Sequence, residues 1–158
     1  MQEQVAVGVN LSMECLPLAE FPLSRQELVR LSGMLLNVLG LDCFDFDLKI
    51  VDDSAISVIN EEFLGCVGPT NVLSFPFSEN PDPDVNRFLG EIVLSVNTLA
   101  RETRLYGQLP EEHTSRLLAH ALLHLAGYDH GTEMYSLTDL AVESVSAEFR
   151  QRIPGWFF

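Results

Sequence analysis

The sequence predicts an α/β (α+β) fold in which helices cover a mixed sheet of four strands. Three observations lead to this prediction: four short segments are typical of strands, five longer ones are typical of helices, and the two kinds are interleaved. The chain has 158 residues, of which 47% are hydrophobic and 9% aromatic, a composition that suits one domain with a full core. We therefore expect a single domain over residues 1–158.

The first strand and the first helix are predicted near the N-terminus. The stretch "QVAVGVN" (residues 4–10) alternates weakly and is typical of a strand. Ser24 with Glu27 three residues later forms a capping-box pattern, so a helix is expected to begin there. Gly40 is expected to end that helix. Its apolar positions have helical spacing: Leu28, Leu31, Leu35, Val38 and Leu39.

A second strand, a second helix and a third strand follow. In "CFDFDLKIV" (43–51) apolar residues alternate with polar ones, which predicts a half-buried strand. Asp52 or Asp53 is expected to cap the next helix, whose apolar stripe consists of Ile56, Ile59 and Phe63. A turn-rich loop, "GCVGPT", leads to the short strand "NVLSFPF". Pro76 is expected to end this strand or to place it at a sheet edge.

The second half of the chain predicts one more strand and three helices. The segment "SENPDPDVNR" has the composition of an exposed loop, and "FLGEIVLSV" after it is expected to be the fourth strand. Helices are predicted over Leu99–Leu105, from about Pro110 to Ala126, and from about Thr132 to Arg152. The order β-α-β-α-β-β-α-α-α favours a mixed sheet covered by helices.

The strongly acidic charge of the chain limits its partners. The net charge is −14, with one lysine, Lys49, and eight arginines. Such a field repels nucleic acids and anionic membranes, and no apolar run approaches the ~20 residues of a membrane-spanning helix. We therefore expect neither a membrane nor DNA as a partner. An RNA substrate would require a local arginine patch, a metal or a partner protein to offset the repulsion.

The cysteines and the N-terminus favour a cytoplasmic protein. Cys15, Cys43 and Cys66 are widely spaced and form no CxxC pair, so we expect reduced thiols rather than a disulfide framework or a zinc ribbon. The first ten residues lack the basic and long apolar regions of a secretory signal.

The clearest chemical signal is the stretch "HALLHLAGYDH", which contains three of the four histidines. His120 and His124 are one helical turn apart, so their rings share a face. Gly127 can end the helix and turn the chain back, which would bring His130 to the same metal ion. Three imidazoles leave a fourth position open for water, as in catalytic zinc sites. The surroundings of His113, "EEHTSR", indicate a solvated helix start, so we exclude this histidine.

The residue after the first histidine separates this pattern from that of metalloproteases. The metzincin pattern is HExxHxxGxxH, and this sequence has HAxxHxxGxxH, with Ala121 in place of the glutamate. That glutamate is the general base of peptide hydrolysis. A metal on three histidines still lowers the pKa of bound water toward ~7. The pattern therefore indicates a hydrolytic metal site but argues against peptides as substrates.

Three stretches together resemble the YbeY family, the bacterial rRNA maturation endoribonucleases. They are "HALLHLAGYDH", "GPTNVLSFPF" and "LGEIVLSV", and the similarity is densest from Ile59 to His130. The resemblance implies a single α/β domain related to the zincins. It also implies that the metal helix and the turn after it hold one zinc ion on His120, His124 and His130.

The same resemblance implies a biological role. The family is described as a cytoplasmic metal-dependent RNase that acts on single-stranded RNA. It takes part in the 3′-end maturation of small-subunit rRNA and in ribosome quality control. The expected partners are therefore rRNA and the ribosome or ribosomal proteins.

The chain departs from the family pattern at three positions. Ala121 replaces a usual glycine, Glu91 replaces a usual aspartate in the last strand motif, and Leu64 replaces a usual arginine. That arginine is thought to face the active site in the family. Its absence leaves the residue that would bind the substrate phosphate unidentified.

Several residues are weak candidates for a catalytic or phosphate-binding role. We expect one of Arg116, Arg101 and Arg104 to point toward the histidine cleft, the alternative for each being a surface ion pair. Asp129 would either accept a hydrogen bond from a ligand imidazole or cap the turn after the helix. Glu91, in an apolar strand, would either meet an arginine or lie near the metal cleft. No general base can be named.

Polar residues in the "TNVLSFP" stretch leave a similar choice. Thr70, Asn71 and Ser74 belong to a segment that the family shares, which would suit a role at the site. Hydrogen bonding of the turn and of the strand edge is the alternative explanation.

Three functions remain open on the sequence. The leading hypothesis is a zinc-dependent endoribonuclease in which zinc-bound water attacks the RNA phosphodiester. A second is a ribosome-assembly or rRNA-binding factor whose metal mainly holds the fold, which Leu64 and the charge of −14 favour. A third is a metalloprotease-like hydrolase, which Ala121 disfavours.

Overall fold

The computed structural model describes residues 3–6, 8–15 and 23–151 of the chain. These residues contain five strands and five helices. The strands are β1 (Glu3–Ala6), β2 (Val9–Met13), β3 (Asp45–Val51), β4 (Val72–Pro76) and β5 (Phe88–Ser95). The helices are α1 (Arg25–Val38), α2 (Asp53–Leu64), α3 (Val96–Leu105), α4 (Pro110–Leu125) and α5 (Thr132–Gln151). The predicted fold class, helices on a mixed sheet, is confirmed.

The strands form one sheet in the order β1-β2-β3-β5-β4. The central pairs β2–β3 and β3–β5 are parallel. The outer pairs β1–β2 and β4–β5 are antiparallel. Strand β4, from the "NVLSFPF" stretch, therefore lies at the edge of the sheet and ends at Pro76, as the proline predicts.

The first predicted strand forms two strands, so the sheet has five strands rather than four. Strands β1 and β2 pair as a hairpin that reverses next to Gly8. Gly8 has φ +91°, a left-handed conformation that favours glycine. The apolar alternation of "QVAVGVN" continues across this reversal, and the pattern alone therefore indicates one strand.

The main core lies between the sheet and helices α1, α4 and α5. On β3, Phe46, Leu48 and Ile50 are buried on this side, which the alternation in the sequence predicts. A smaller cluster on the opposite face joins Val93 of β5 to Ile56 of α2. Helix α4 therefore belongs to the main core, and α2 covers part of the other face.

Local hydrogen bonds begin the first two helices as predicted. The Glu27 amide donates to Ser24 Oγ over 3.1 Å, and the Ser24 amide donates to Glu27 Oε1 over 3.0 Å, which completes the capping box. Asp52 rather than Asp53 caps α2, because its Oδ1 accepts from the amide of Ala55 over 2.8 Å.

Asp53 instead ties α2 to α3. Its Oδ1 accepts hydrogen bonds from the hydroxyls of Ser95 and Thr98, and its Oδ2 lies 2.8 Å from the guanidinium of Arg101. Burial alone would raise the pKa of Asp53, but these hydrogen bonds outweigh it and lower the pKa. Because Ser95 also caps α3, this helix begins at Val96, earlier than the predicted Leu99.

Two expectations about the rest of the chain can be compared with the structure. Cys15, Cys43 and Cys66 are free thiols. Within the described residues, no helix combines the length and the apolar character that crossing a bilayer requires. The last predicted residue of the C-terminal helix, Arg152, lies outside the described part.

Candidate metal centre

Helix α4 supports the histidine cluster from the main core. It begins with Pro110 at its first turn, where the missing N–H needs no partner. Its apolar face is buried against the sheet and the neighbouring helices through Leu118, Ala119, Leu122 and Leu125. His120 and His124 lie one turn apart on the half-buried opposite side. The two imidazoles are therefore held on a rigid, well-packed element.

The turn after α4 brings the third histidine back. Gly127 has φ +97°, and the amide of Tyr128 donates to the carbonyl of Leu123 over 3.0 Å. This arrangement ends the helix and reverses the chain. The ring of His130 then lies 5.0 Å from that of His120 and 4.5 Å from that of His124, measured between centroids.

The three rings present a set of nitrogen donors to a common point. One nitrogen of each of His120, His124 and His130 lies within 4.8 Å of the others. Neutral imidazole nitrogens are ligands for zinc and for neighbouring transition metals. Because no carboxylate belongs to this set within the described residues, the donors suit such a metal better than calcium or magnesium.

The surroundings favour the neutral, ligating form of two of these imidazoles. Burial lowers the pKa of His120 and of His124 below the ordinary histidine value, and the neighbouring imidazoles of the cluster lower it further. For His124, the carboxylate of Asp129 acts in the opposite direction without reversing the shift. The lone pairs are therefore available at neutral pH.

Ala121, the residue after His120, belongs to the packed side of helix α4. Its side chain is only 2% exposed and belongs to the main core. The position that carries the general base in metzincins therefore contributes no polar group here. The methyl group instead packs helix α4 against its neighbours.

Tyr135 is a neighbour of the cluster that the sequence did not indicate. It lies on α5, is exposed, and stacks against His120 with ring centroids 6.3 Å apart and 26° between the planes. Helix α5 packs alongside α4, so this residue reaches the cluster from a separate element. No spacing rule connects positions 120 and 135, because they are neighbours only through tertiary packing.

Two of the three arginine candidates form ion pairs away from the histidines. Arg116 donates to Asp139 Oδ1 on α5 over 2.6 Å. Arg101 pairs with Asp53, and Arg104 lines a shallow cleft beside Tyr106. The structure thus places Arg116 and Arg101 in ion pairs rather than against the histidines.

The acidic candidates lie in two different places. Asp129 is exposed beside the cluster, but no hydrogen bond joins it to an imidazole or to the turn among the described residues. Glu91 lines a cleft with Lys49 and Phe75 on the sheet face that packs against α2. This is the opposite face from α4, so Glu91 is not brought to the histidine cluster.

The "TNVLSFP" stretch and the end of α2 contribute no residue to the set of metal-binding side chains among the described residues, although β4 packs against α4. Asn71 Nδ2 donates to the carboxylate of Glu102 over 3.1 Å, and the carbonyl of Asn71 accepts from the Ser95 amide over 3.0 Å. Ser74 and Thr70 are half-buried on and before strand β4. Leu64 is the last residue of α2, with 56% of its surface exposed.

His113 lies outside the cluster, but its environment differs from the predicted one. The sequence suggests a solvated helix start, whereas His113 is 5% exposed. Its Nε2 lies 2.9 Å from Glu102 Oε1. Since a carboxylate only accepts hydrogen bonds, Nε2 carries the proton of this contact. The solvated prediction is wrong because α3 packs over this side of α4, which the local sequence cannot reveal.

Comparisons with known proteins give one consistent result. The model of the family described as endoribonuclease YbeY matches residues 25–141. A protein of Nitratidesulfovibrio vulgaris named endoribonuclease YbeY is 48% identical over 123 residues, which cover 68% of this chain and 76% of the relative. Another of that name, from Oleidesulfovibrio alaskensis, is 38% identical over 146 residues, covering 81% and 86%.

A solved structure has the same fold. The solution structure of TM1509 from Thermotoga maritima superposes with a TM-score of 0.62 and 26% sequence identity. The match covers 84% of this chain and 93% of that protein.

Proposed function

The chain belongs to the endoribonuclease YbeY family, and from this membership we propose that it is a metal-dependent endoribonuclease that hydrolyses phosphodiester bonds in single-stranded RNA. The names of its relatives support the endoribonuclease activity. The observation that carries the metal dependence is the convergence of three imidazoles within 4.8 Å.

The histidines fit the metal that the proposal requires. His120, His124 and His130 would hold one ion, and Zn²⁺ is the metal that three neutral imidazoles and an open position suit best. When bound, the ion supplies Lewis-acid activation of water at neutral pH. The lowered pKa values of His120 and His124 keep their lone pairs free of protons for this role.

Other residues near the cluster would also contribute to the proposed hydrolysis. Helix α4 and the turn at Gly127 fix the positions of the ligands. Tyr135 of helix α5 stacks against His120. Because Ala121 has no acidic group, a proton acceptor equivalent to that of metalloproteases is missing, which disfavours peptide hydrolysis. Asp129 is the carboxylate whose charge acts on His124, and it is our candidate for proton transfer.

The proposed biological setting is ribosome maturation. We extend to this chain the role that the family resemblance implies: processing of the 3′ end of small-subunit rRNA and quality control of ribosomes in the cytoplasm. With a net charge of −14, the protein gains little from general attraction to RNA. Contacts with the ribosome or with ribosomal proteins would therefore bring it to its substrate.

One set of assays tests the proposed function. Bound zinc is measured in the purified protein, and cleavage of structured rRNA and of casein is compared between wild type and His124→Ala. We expect about one zinc per chain, cleavage of RNA but not of casein, and loss of RNA cleavage in the variant. Unchanged RNA cleavage by a folded, metal-free variant would refute the proposal and indicate a contaminating nuclease.

The same assays identify the second candidate, an assembly factor with a structural metal. Its supporting observation is Leu64, an exposed apolar residue where the family usually has an arginine. Zinc binding and ribosome association without any RNA cleavage would favour this candidate over the nuclease.

A further inference from the structure

The loop between β4 and β5 lies next to the histidine cluster. This β4–β5 loop comprises residues 77–87. The carbonyl oxygen of Glu79 in the loop is 3.6 Å from the position that a Cβ on Gly127 would occupy. Gly127 is three residues from His124 and three from His130, so this contact joins the loop to the segment that carries the metal ligands. A second approach, between Leu125 and Gly90 of β5, brings the base of the loop to the end of α4.

The loop forms a small cleft with an aromatic wall. Phe77 and Phe88, at its two ends, meet edge to face with ring centroids 5.5 Å apart. They line a cavity of about 320 Å³ together with Asn80, Asp82 and Asn86. Phe77 remains 57% exposed. Aromatic faces bordered by a few amide and carboxylate groups are the lining with which proteins bind unpaired nucleobases.

Hydrogen bonds within the loop hold the cleft in shape. Asp82 accepts from the amide of Asp84 through Oδ1 over 2.9 Å, and its carbonyl accepts from the amides of Val85 and Asn86. Asn86 Oδ1 accepts from the amide of Phe88 over 2.9 Å. These bonds fix the backbone of the loop before any ligand arrives, which reduces the entropy lost on binding.

The charges of the loop favour a base of the RNA over a phosphate as its ligand. Glu79, Asp82 and Asp84 make the loop acidic, and its cation, Arg87, lies 3.6 Å from Asp45 of β3. A phosphate is repelled by such surroundings, whereas a neutral base is not. The amino groups of a base can also donate to Asp82, and its ring can stack on Phe77.

We propose that the β4–β5 loop binds one unpaired base of the RNA, adjacent to the phosphate that lies at the histidine cluster, with Phe77 as the stacking platform. This inference rests on the proposed endoribonuclease function and assigns a substrate subsite to it. The subsite gives a protein with a net charge of −14 a contact with RNA that is made to a base rather than to a phosphate.

Base-deletion binding measurements test the subsite. The Kd of the zinc-loaded protein is measured by fluorescence anisotropy for a short single-stranded RNA and for versions that each lack one base. Readings are taken before cleavage, and gels confirm that the RNA is intact. We expect Phe77→Ala to raise the Kd about fivefold to a hundredfold. We also expect one base deletion to weaken binding to wild type but not to Phe77→Ala.

Phe63→Ala is the matched control. Phe63 is 64% exposed and forms an edge-to-face pair with Phe75, also at 5.5 Å, and it does not line the cavity of the loop. This control should leave the Kd unchanged. Phe77→Leu, which keeps the apolar volume but not the aromatic face, tests stacking if the alanine variant unfolds, and its Kd should also rise.

The possible results separate the subsite from the proposed activity. If RNA is cleaved but neither variant of Phe77 binds more weakly, the subsite is refuted while the nuclease function stands. The subsite is also refuted if Phe77→Ala binds RNA more weakly but no single base deletion weakens binding to wild type. The loop would then have only a structural or protein-binding role. If RNA is not cleaved at all, the nuclease proposal fails, yet coupling between Phe77 and one base would still support the site.

Discussion

The two ends of helix α4 both carry histidines, but they place them in opposite surroundings. Near the beginning, His113 is buried and bonded to Glu102, which also accepts from Asn71. At the other end, His120 and His124 are half-buried and meet chiefly other imidazole rings. An imidazole paired with a carboxylate, as in His113 with Glu102, links two elements of the fold. Imidazoles that meet one another have lone pairs left for a metal.

This difference has an energetic basis. A buried carboxylate requires hydrogen-bond donors, and His113 and Asn71 supply them to Glu102. In the cluster, a positive charge on one ring disfavours charge on the next, which lowers the pKa of His120 and His124 in addition to burial. The first end therefore contributes stability, and the second end holds neutral donors that a metal ion can use. The predictions below test this division between the two ends.

The largest expected difference is in zinc affinity. His124→Ala should weaken zinc binding by at least about a hundredfold, because it removes a ligand rather than a supporting contact. His113→Ala, a substitution of the same type on the same helix, should leave zinc affinity unchanged. Competition with a chromophoric chelator measures both values. A comparable loss of zinc in the two variants would show that the two ends do not act separately.

The pH dependence of zinc binding is the next largest effect. With pKa values of His120 and His124 below the ordinary value of about 6.5, both rings are already neutral at neutral pH. The part of the zinc affinity that depends on these two rings should therefore be constant above about pH 6.5 and fall only below it, by up to about a hundredfold per pH unit when two protons must be displaced. Titrations from pH 8 to about pH 5 measure this profile.

The direction of these pKa shifts also predicts how the stability of the metal-free protein depends on pH. Below about pH 6.5 the unfolded chain binds protons at these histidines more readily than the folded chain does. The free energy of unfolding should therefore decrease as the pH falls from about 6.5 through the lowered pKa values. In the zinc titrations described above, a loss of affinity that begins well above neutral pH would contradict the lowered pKa values of His120 and His124.

Substitutions at the buried end of helix α4 should change the stability of the protein but not its RNA cleavage. His113→Ala should lower the free energy of unfolding by about 1–3 kcal/mol, because it removes a buried ring and leaves Glu102 with fewer donors. Urea denaturation with saturating zinc measures the loss. The companion variant Glu102→Gln keeps an acceptor oxygen for His113 and Asn71, so its loss should be smaller. Equal RNA cleavage per folded molecule in both variants would confirm that this end serves only the fold.

The contrast between the two ends also shows which features a sequence can predict. The capping box at Ser24, the alternation along β3 and the spacing of His120, His124 and His130 are local patterns, and each could be read from neighbouring residues. The burial of His113, the stacking of Tyr135 on His120 and the position of Glu91 depend on how separate elements pack. The hairpin at Gly8 pairs neighbouring residues as well, but the apolar alternation continues across it and hides the reversal.

The smallest expected effect concerns Arg116, which lies one turn before His120. The sequence suggested that it could face the histidine cleft, but its guanidinium binds Asp139. The side chains of Arg116 and Asp139 are 43% and 68% exposed, and ion pairs this exposed contribute at most about 1 kcal/mol. Arg116→Ala should therefore lower the free energy of unfolding by no more than that amount, and Asp139→Asn should behave in the same way.

RNA binding by these two variants decides the role of the arginine. If Arg116 serves only the ion pair, the Kd for RNA and the cleavage rate remain those of wild type in both variants. If it binds the substrate phosphate, Arg116→Ala weakens RNA binding, whereas Asp139→Asn, which frees the guanidinium, strengthens it. The opposite response of the two partners is the decisive measurement, because a purely structural pair would leave RNA binding unchanged in both variants.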